Sequence, residues 1–283
     1  MSLPNFAYYS HHKCATGWTT SILMEFCFHL GRRFRIAHGP VQYGADGGLR
    51  AWVARHDVEF LAYTNAEMYE VQSLPSHQGV HVVRDPRDVL VSAYFSHKNS
   101  HPTENWPELE THREALRSLS KEEGLLKEIE FSRPFLEAMQ TWDYDQEHIL
   151  EMKMENLTAN PDTRFRRMLR HLGLFEEDPD EGLLHRGRHY GNRLLYKAYH
   201  ELPLSPPRRL TVEPTLHPSV LDEILEAHRF ERMTDGRSKG EADPESHYRK
   251  GEPGDWKNHF TDRVRQAFED AYGDIVETLG YDG

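Results

Sequence analysis

NFAYYSHHKCATGWTTSILMEFCFHLG, residues 5–31, changes its period partway along. NFAYYS is a short β-prone run. From Trp18 onward, Ile22, Leu23, Phe26 and Leu30 recur at helical spacing, with Met24 and Phe28 on the opposite side and Gly31 as a stop. A strand, a loop HHKCATG and a buried helix are therefore predicted. VHVV at 80–83 repeats the plan as a mostly apolar, β-branched run suited to a buried parallel strand. RDPRD then opens a helix through Val89, Leu90, Ala93 and Tyr94. HILEMKM at 148–154 reads as another strand, and PDTRFRRMLRHLG at 161–173 as a helix with Pro at its start. Strands alternating with helices predict an α/β fold, a single domain over residues 1–283 with a central parallel sheet flanked by helices.

The remaining segments are less regular. Residues 103–140 read as largely helical and amphipathic. Residues 178–217 hold five prolines, three glycines and aromatics without periodicity, so an irregular insertion or lid is expected there. Residues 234–255 read as a loop. It leads into a C-terminal helix with Thr261 as N-cap and one apolar stripe of Val264, Phe268, Ala271, Tyr272, Ile275 and Leu279.

Composition narrows the function. The 283 residues carry 34 Lys and Arg against 46 Asp and Glu, a formal net charge of −12. That balance excludes a broad basic surface for nucleic acid or an anionic membrane, so any anion site must be local. Two cysteines, Cys14 and Cys27, make no disulfide framework and no four-cysteine zinc module. The start MSLPNFAYYSHHK lacks a secretory pattern, and no run approaches the roughly 18 apolar residues of a membrane span. A cytoplasmic protein is expected. Among 19 histidines, the pairs His77/His81, His97/His101 and His185/His189 lie four apart, but no HExxH is present. They read as core or surface histidines, and no metal is expected.

Three segments carry candidate anion chemistry. Lys13, Thr16, Gly17, Thr19 and Thr20 lead into a helix N-terminus, whose unpaired N–H groups and partial positive charge suit a phosphate. The segment is not GxxxxGK[ST], since no glycine directly precedes the lysine, which disfavours an ordinary nucleotide kinase. The plainer reading is a surface lysine beside a capped helix. In VHVVRDPRDVLVSAYFSH, residues 80–97, Arg84 ends a parallel strand where open α/β sheets bind ligands, and Ser92 follows on the helix. A salt bridge of Arg84 or Arg87 with Asp85 or Asp88 is the plainer alternative. HYRKGEPGDWKNHFT, residues 247–261, sets Arg249 and Lys250 before glycines and a capped helix, able to wrap an anion or simply to lie in solvent.

Taken together, the three resemble the sulfotransferase superfamily that uses 3′-phosphoadenosine 5′-phosphosulfate. KCATGW, from Lys13 to Trp18, is similar to the family's phosphosulfate loop PKSGTTW. RDPRDVLVSAYF is similar to its 3′-phosphate segment, and RKGEPGDWKNHFT to its C-terminal RKGxxGDWKNHFT, the most specific of the three. The resemblance spans residues 5–281. It implies a P-loop-like segment in which Lys13 meets the bridging or sulfuryl oxygens. Cys14, Ala15, Thr16, Gly17 and Thr19 would line the 5′-phosphate cradle, with Trp18 stacking on adenine. Arg84 and Ser92 would hold the 3′-phosphate from one side, and Arg249, Lys250 and Gly251 from the other. RFERM at 229–233 is similar to the family's SFEVM, which makes Phe230 a purine contact or else a core aromatic.

Three departures matter. Where the family has KTHLP with its basic histidine, this chain has YTNAE, placing Tyr63 at the lysine and Asn65 at the histidine. Asparagine accepts no proton at neutral pH. Glu67, His12 and His97 are then candidate bases. A YEDM-like tyrosine becomes Met154 in MENL, and a dimer motif KxxxTVxxxE would fall on Lys257–Gln266 with Asp262 and Gln266 substituted, so the usual dimer is not predicted and the oligomeric state stays open. The resemblance implies sulfuryl transfer to a small hydroxylated acceptor, with adenosine 3′,5′-bisphosphate as the product and no metal. The alternatives are a bisphosphate-binding protein without turnover and an atypical kinase.

Overall fold

The computed structural model describes residues 4–104, 106–177, 183–201, 215–234, 236–241, 243, 246 and 249–282. Five strands, β1 Phe6–Ser10, β2 Phe34–Ala37, β3 Phe60–Tyr63, β4 Gln78–Val83 and β5 Ile149–Lys153, form one sheet in the order β2-β3-β1-β4-β5. Every pairing is parallel: Phe6 lies opposite Phe60 on β3 and Gln78 on β4, and Val83 opposite Lys153 on β5. The chain places β2 and β3 on one side of β1, then crosses it to add β4 and β5. That reversal is the switch point beyond whose strand ends open α/β sheets bind ligands. The segments after β1, β3 and β4 therefore share one edge of the sheet.

The central strands are apolar because both of their faces are covered. Alternation sends Tyr8 to one side and Tyr9 to the other. On the Tyr8 side, Ile22, Leu23 and Phe26 of the Thr16–His29 helix pack on Val80 and Val82, joined by Phe165 and Leu169 of the Pro161–His171 helix and by Leu221 and Ile224 of the Pro218–Ala227 helix. On the Tyr9 side, Trp52 and Val53 of the Leu49–Arg55 helix join Leu61, Tyr63 and Trp142. A third cluster fastens Val89 and Leu90 of the Pro86–Asn99 helix to Leu136, Met139, Phe268 and Tyr272.

The strand-helix pairs read from sequence are present, and residues 103–140 contain the helices Pro107–Ser118, Lys121–Phe131 and Arg133–Gln140. Three features differ from expectation. Within 178–217, residues Leu183–Glu201 form a 19-residue helix rather than an irregular stretch. Gly187 and Gly191 lower its intrinsic propensity. Packing compensates: Asn192 is buried, Tyr196 meets Phe28 edge-on at 5.2 Å, and Arg193 pairs with Glu223. Residues 178–182 and 202–214 of that stretch, and the side chains of His185 and His189, lie outside the described residues. The C-terminal stripe is not one helix. Asp262–Tyr272 ends at Gly273, φ +51°, and Ile275–Thr278 resumes at a new angle with Ile275 and Leu279 still buried. Finally, β2 and β3 were not anticipated. Among the described residues, no helix is long and apolar enough to cross a membrane.

Candidate active site

The loop from β1 to the Thr16–His29 helix holds two residues in the left-handed region, Lys13 at φ +63° and Ala15 at φ +54°. With a Cβ, each costs roughly 1–2 kcal/mol, so the surroundings must impose it. The His11 carbonyl accepts from Cys14 N at 3.3 Å and the Thr16 hydroxyl at 3.2 Å. The Ala15 carbonyl accepts from Thr19 N at 3.0 Å and the Thr19 hydroxyl at 3.2 Å. Left-handed residues within such a turn gather successive N–H groups on one concave side. Thr19 N makes the first intrahelical bond, which leaves the N–H groups of Thr16, Gly17 and Trp18 ahead of the ladder. No acidic residue occupies that first turn, so the positive end of the helix is uncompensated. Cys14 is fully buried and its thiol is pushed up to about 12 by burial, which makes it a packing residue. Thr19, buried with its hydroxyl on Ala15, shapes the loop from behind.

Arg84 follows the last residue of β4, and its Nη1 donates to the Lys13 carbonyl at 3.0 Å. Burial and the charge of Arg84 lower the Lys13 ammonium to about 8, Glu128 opposes this, and Arg249 adds to it. Cations from two distant segments thus act on Lys13. The plainer salt-bridge reading holds only for Arg87, which grips Asp85 at 2.8 and 3.0 Å.

The third segment is fixed by Asp88 on the Pro86–Asn99 helix. Its buried carboxylate accepts from Gly254 N at 2.6 Å and Trp256 N at 2.9 Å. One and two turns further on the same helix are Ser92 and Phe95, and Arg249 stacks over the Phe95 ring at 4.7 Å. Ser92 therefore lies between the anchors of the loop that carries Arg249 and Lys250. Asp255 pairs with Arg249 and with Lys250 at 2.8 Å, and accepts from Asn258 and His259. Burial works to raise the Asp255 carboxyl, but the Lys250, Asn258 and Arg249 bonds hold it well below the usual range. Gly251, φ +71°, lies so close to Phe230 that a Cβ there would sit 2.7 Å from the ring. Phe230 thus stands against the loop that carries Arg249 and Lys250 rather than in a core cluster. Trp18 reaches the same region: its indole donates to the His228 carbonyl at 2.7 Å, with Phe165 edge-on at 5.6 Å.

The candidate bases divide. Asn65 and Glu67 are brought to the end of β1 by Ala66 N, which donates to the Ser10 carbonyl at 3.0 Å. Asn65 spends its amide on the His38 carbonyl at 2.8 Å, and Tyr63 turns its hydroxyl to Tyr43 at 2.7 Å. Glu67 lies among Tyr43, Tyr63 and Tyr69: burial is what chiefly raises the first two hydroxyls, with the Glu67 charge adding to it, while a hydrogen bond to Glu67 leads at Tyr69. His12, directly before Lys13, has its Nε2 3.0 Å from His97 Nε2, and His97 Nδ1 lies 2.8 Å from Glu128 Oε1. His112 and Ser132 complete the carboxylate at 2.8 and 2.6 Å. The nitrogens and carboxylate oxygens of His97, His112 and Glu128 lie within 4.8 Å of one another, but the nitrogen-oxygen separations are those of hydrogen bonds. Sequence reading missed Glu128 and His112. Each interrupts an apolar helical stripe, Glu128 beside Leu125 and Ile129 and His112 between Leu109 and Leu116.

The sulfotransferase domain family matches residues 71–186 and 209–280, about two-thirds of the chain, including the Arg84 and Arg249 segments. Among solved structures, mouse sulfotransferase SULT7A1 complexed with PAP is 13% identical and superposes with a TM-score of 0.51, covering 98% of this chain and 86% of that one. Retinol dehydratase in complex with androsterone and inactive cofactor PAP is 14% identical, covering 100% and 84%, at a looser TM-score of 0.46. The mouse enzyme shares the fold, and the sequence match decides the family: the chain belongs to the sulfotransferase domain family.

Proposed function

We propose that this sulfotransferase moves the sulfuryl group of 3′-phosphoadenosine 5′-phosphosulfate to a hydroxyl, or an amine, of a small-molecule acceptor. The observation that carries the reading is the convergence of Arg84, whose Nη1 holds the Lys13 carbonyl at 3.0 Å, and of Arg249, paired with Asp255, on Lys13, whose ammonium burial and both charges lower; an anion there would favour all three cations. The Lys13 loop and helix N-terminus suit the 5′-phosphosulfate. Arg84 and Ser92 suit the 3′-phosphate from one side, with Arg249, Lys250 and Gly251 from the other, and Phe230 and Trp18 suit the purine. As the sulfur-oxygen bond lengthens, negative charge grows on the bridging oxygen, where Lys13 and the N–H groups of Thr16 and Gly17 stabilise it. No step calls for a metal, since cations and backbone N–H groups supply the positive field. We also place the protein in the cytoplasm, in keeping with two buried free cysteines.

Transfer of radiolabelled sulfate from the phosphosulfate donor to a panel of phenols, alcohols and amines tests this. Labelled product with release of the bisphosphate is expected, and the donor returned intact with every acceptor would contradict it. A second reading, a nucleotide-binding protein without turnover, is favoured by Asn65, whose amide is committed to His38 and cannot take a proton. Bisphosphate binding without transfer would select it.

A further inference from the structure

The segment after β3 carries a carboxylate that the donor site leaves unused. Glu67 is only partly exposed, and its Oε2 is a buried atom with no hydrogen-bond partner. A carboxylate oxygen buried in that way is costly, and among the described residues no Lys, Arg or His forms an ion pair with Glu67 to offset it. We propose that Glu67 selects the acceptor: its carboxylate takes an N–H of a protonated amine, so the acceptor is an amino alcohol whose hydroxyl receives the sulfuryl group. This rests on the transfer reaction proposed above.

Backbone bonds bring that carboxylate to the edge of the sheet where the donor would sit. Ala66 N donates to the Ser10 carbonyl at 3.0 Å, and the Ser10 hydroxyl lies 3.1 Å from the Thr16 hydroxyl in the loop proposed for the phosphosulfate. Glu67 follows Ala66 directly. Thr64 N donates to the Ala37 carbonyl at 3.0 Å and the Asn65 amide to the His38 carbonyl at 2.8 Å, so the segments after β2 and β3 are tied into one wall.

The lining of that wall suits an ammonium. Tyr43 and Tyr63 close its inner side, their hydroxyls 2.7 Å apart and their rings edge to face at 6.0 Å. Burial raises both hydroxyls, that of Tyr43 to about 12, with the Glu67 charge adding to it, so they remain neutral. Tyr69 differs: it is 62% exposed, and its hydroxyl bonds Glu67. Its ring can turn into solvent without opening the core, and beside the carboxylate it offers a cation a π face. Glu70 is committed to Leu49 N at 3.0 Å and adds a second negative charge near Tyr43 and Tyr69. The sheet edge is thus divided, with Lys13 and Arg84 on the donor side and Glu67 and Glu70 on the other, a field that repels an anionic acceptor. The unpartnered oxygen also decides the kind of cation. A protonated amine brings an N–H to Oε2, whereas a quaternary ammonium leaves it unpaired.

Transfer of labelled sulfate at neutral pH to ω-amino alcohols of three to eight carbons, each compared with the alkanol of equal length, tests this. The hydroxyl oxygen bonds to sulfur, the bridging sulfur-oxygen bond breaks with its electron pair on the 5′-phosphate, and the hydroxyl proton ends in solvent. The best amino alcohol should exceed its alkanol at least about tenfold in kcat/KM, the size of one charged hydrogen bond, and yield the O-sulfate. Glu67→Gln keeps the shape and removes the charge. The advantage should shrink to within about twofold, through KM, with kcat for the amino alcohol changed less than about threefold. Tyr69→Ala, at an exposed position, should reduce the advantage about two- to fivefold. Thermal unfolding checks both variants, and trimethylammonium alcohols read the same site in the wild type, where they should fall at least about fivefold below the amines. Alkanols as good as amino alcohols, equal losses of both in Glu67→Gln, trimethylammonium alcohols as good as the amines, an N-sulfated product, or product from other acceptors and none from this series would each overturn the inference. Failure of the transfer reading appears differently, as no labelled product with any phenol, alcohol or amine.

Discussion

Arg84 donates from Nη1 to the carbonyl of Lys13 at 3.0 Å, tying the end of β4 to the loop after β1. A single guanidinium thus holds the loop that carries Lys13, and in the proposed site it also meets the 3′-phosphate. Arg84→Ala should weaken adenosine 3′,5′-bisphosphate binding by about 10- to 100-fold, as expected for a lost charged hydrogen bond. Adenosine 5′-phosphosulfate, which lacks the 3′-phosphate, should lose less than about fivefold. Equal losses would reduce Arg84 to a brace for the loop.

The depressed Lys13 ammonium gives donor binding a pH dependence whose sign is fixed. In the free protein the proton leaves Lys13 as pH rises through about 8, driven off by burial, Arg84 and Arg249. A polyanion binds the protonated form better, so donor affinity should fall above that pH and binding near it should take up a proton. Calorimetry in buffers of different ionisation enthalpy reads both. Affinity unchanged between about pH 7 and 9.5 would contradict the role given to Lys13.

Gly251 is pressed against Phe230 and held at φ +71°, so two costs are separable. Gly251→Ala should lower stability by about 1–2 kcal/mol for the left-handed backbone, with more for displacing the ring, and should weaken bisphosphate binding. Adding Phe230→Leu should recover stability but not affinity if the ring also meets the purine. Urea unfolding and bisphosphate titration of the single and double variants check this, and recovery of both would assign Phe230 to packing alone.

Asp88 touches no proposed ligand atom and should still matter. It holds Gly254 N and Trp256 N, so Asp88→Asn loses one acceptor oxygen for two donors and frees the Arg249 loop. Bisphosphate affinity should drop about tenfold, from one lost charged hydrogen bond. An affinity equal to wild type would mean that the loop is held by its other contacts.

Much of this was legible in the residues because three short segments carry both local geometry and chemistry. Strand patterns at 5–10, 80–83 and 148–154 were readable because buried parallel strands are mostly apolar and β-branched or aromatic. FRIA and FLAY, β2 and β3, are four residues each and too short to show a period. The 183–201 helix was hidden by its glycines and by a stability that comes from Phe28 and Glu223, far away in sequence. At the site, Lys13, Arg84 and Arg249 were nameable from sequence, but the bond of Arg84 to the Lys13 carbonyl and the pairing of Arg249 with Asp255 were not. Asp88 was visible only as a helix-start acid, and Glu128 only as a charge out of place on an apolar face. His12 meets His97, 85 residues away in sequence, at 3.0 Å, a contact that no local pattern announces.

The central claim is that the segments around Lys13, Arg84 and Arg249 form one site for the bisphosphate end of a phosphosulfate donor. Calorimetric titration of the intact protein with adenosine 3′,5′-bisphosphate tests it most directly. The account predicts one site per chain, weakened at least about 10-fold by Lys13→Ala and by Arg249→Ala alike with the fold retained. No binding by the folded wild type, or binding indifferent to both substitutions, would contradict it.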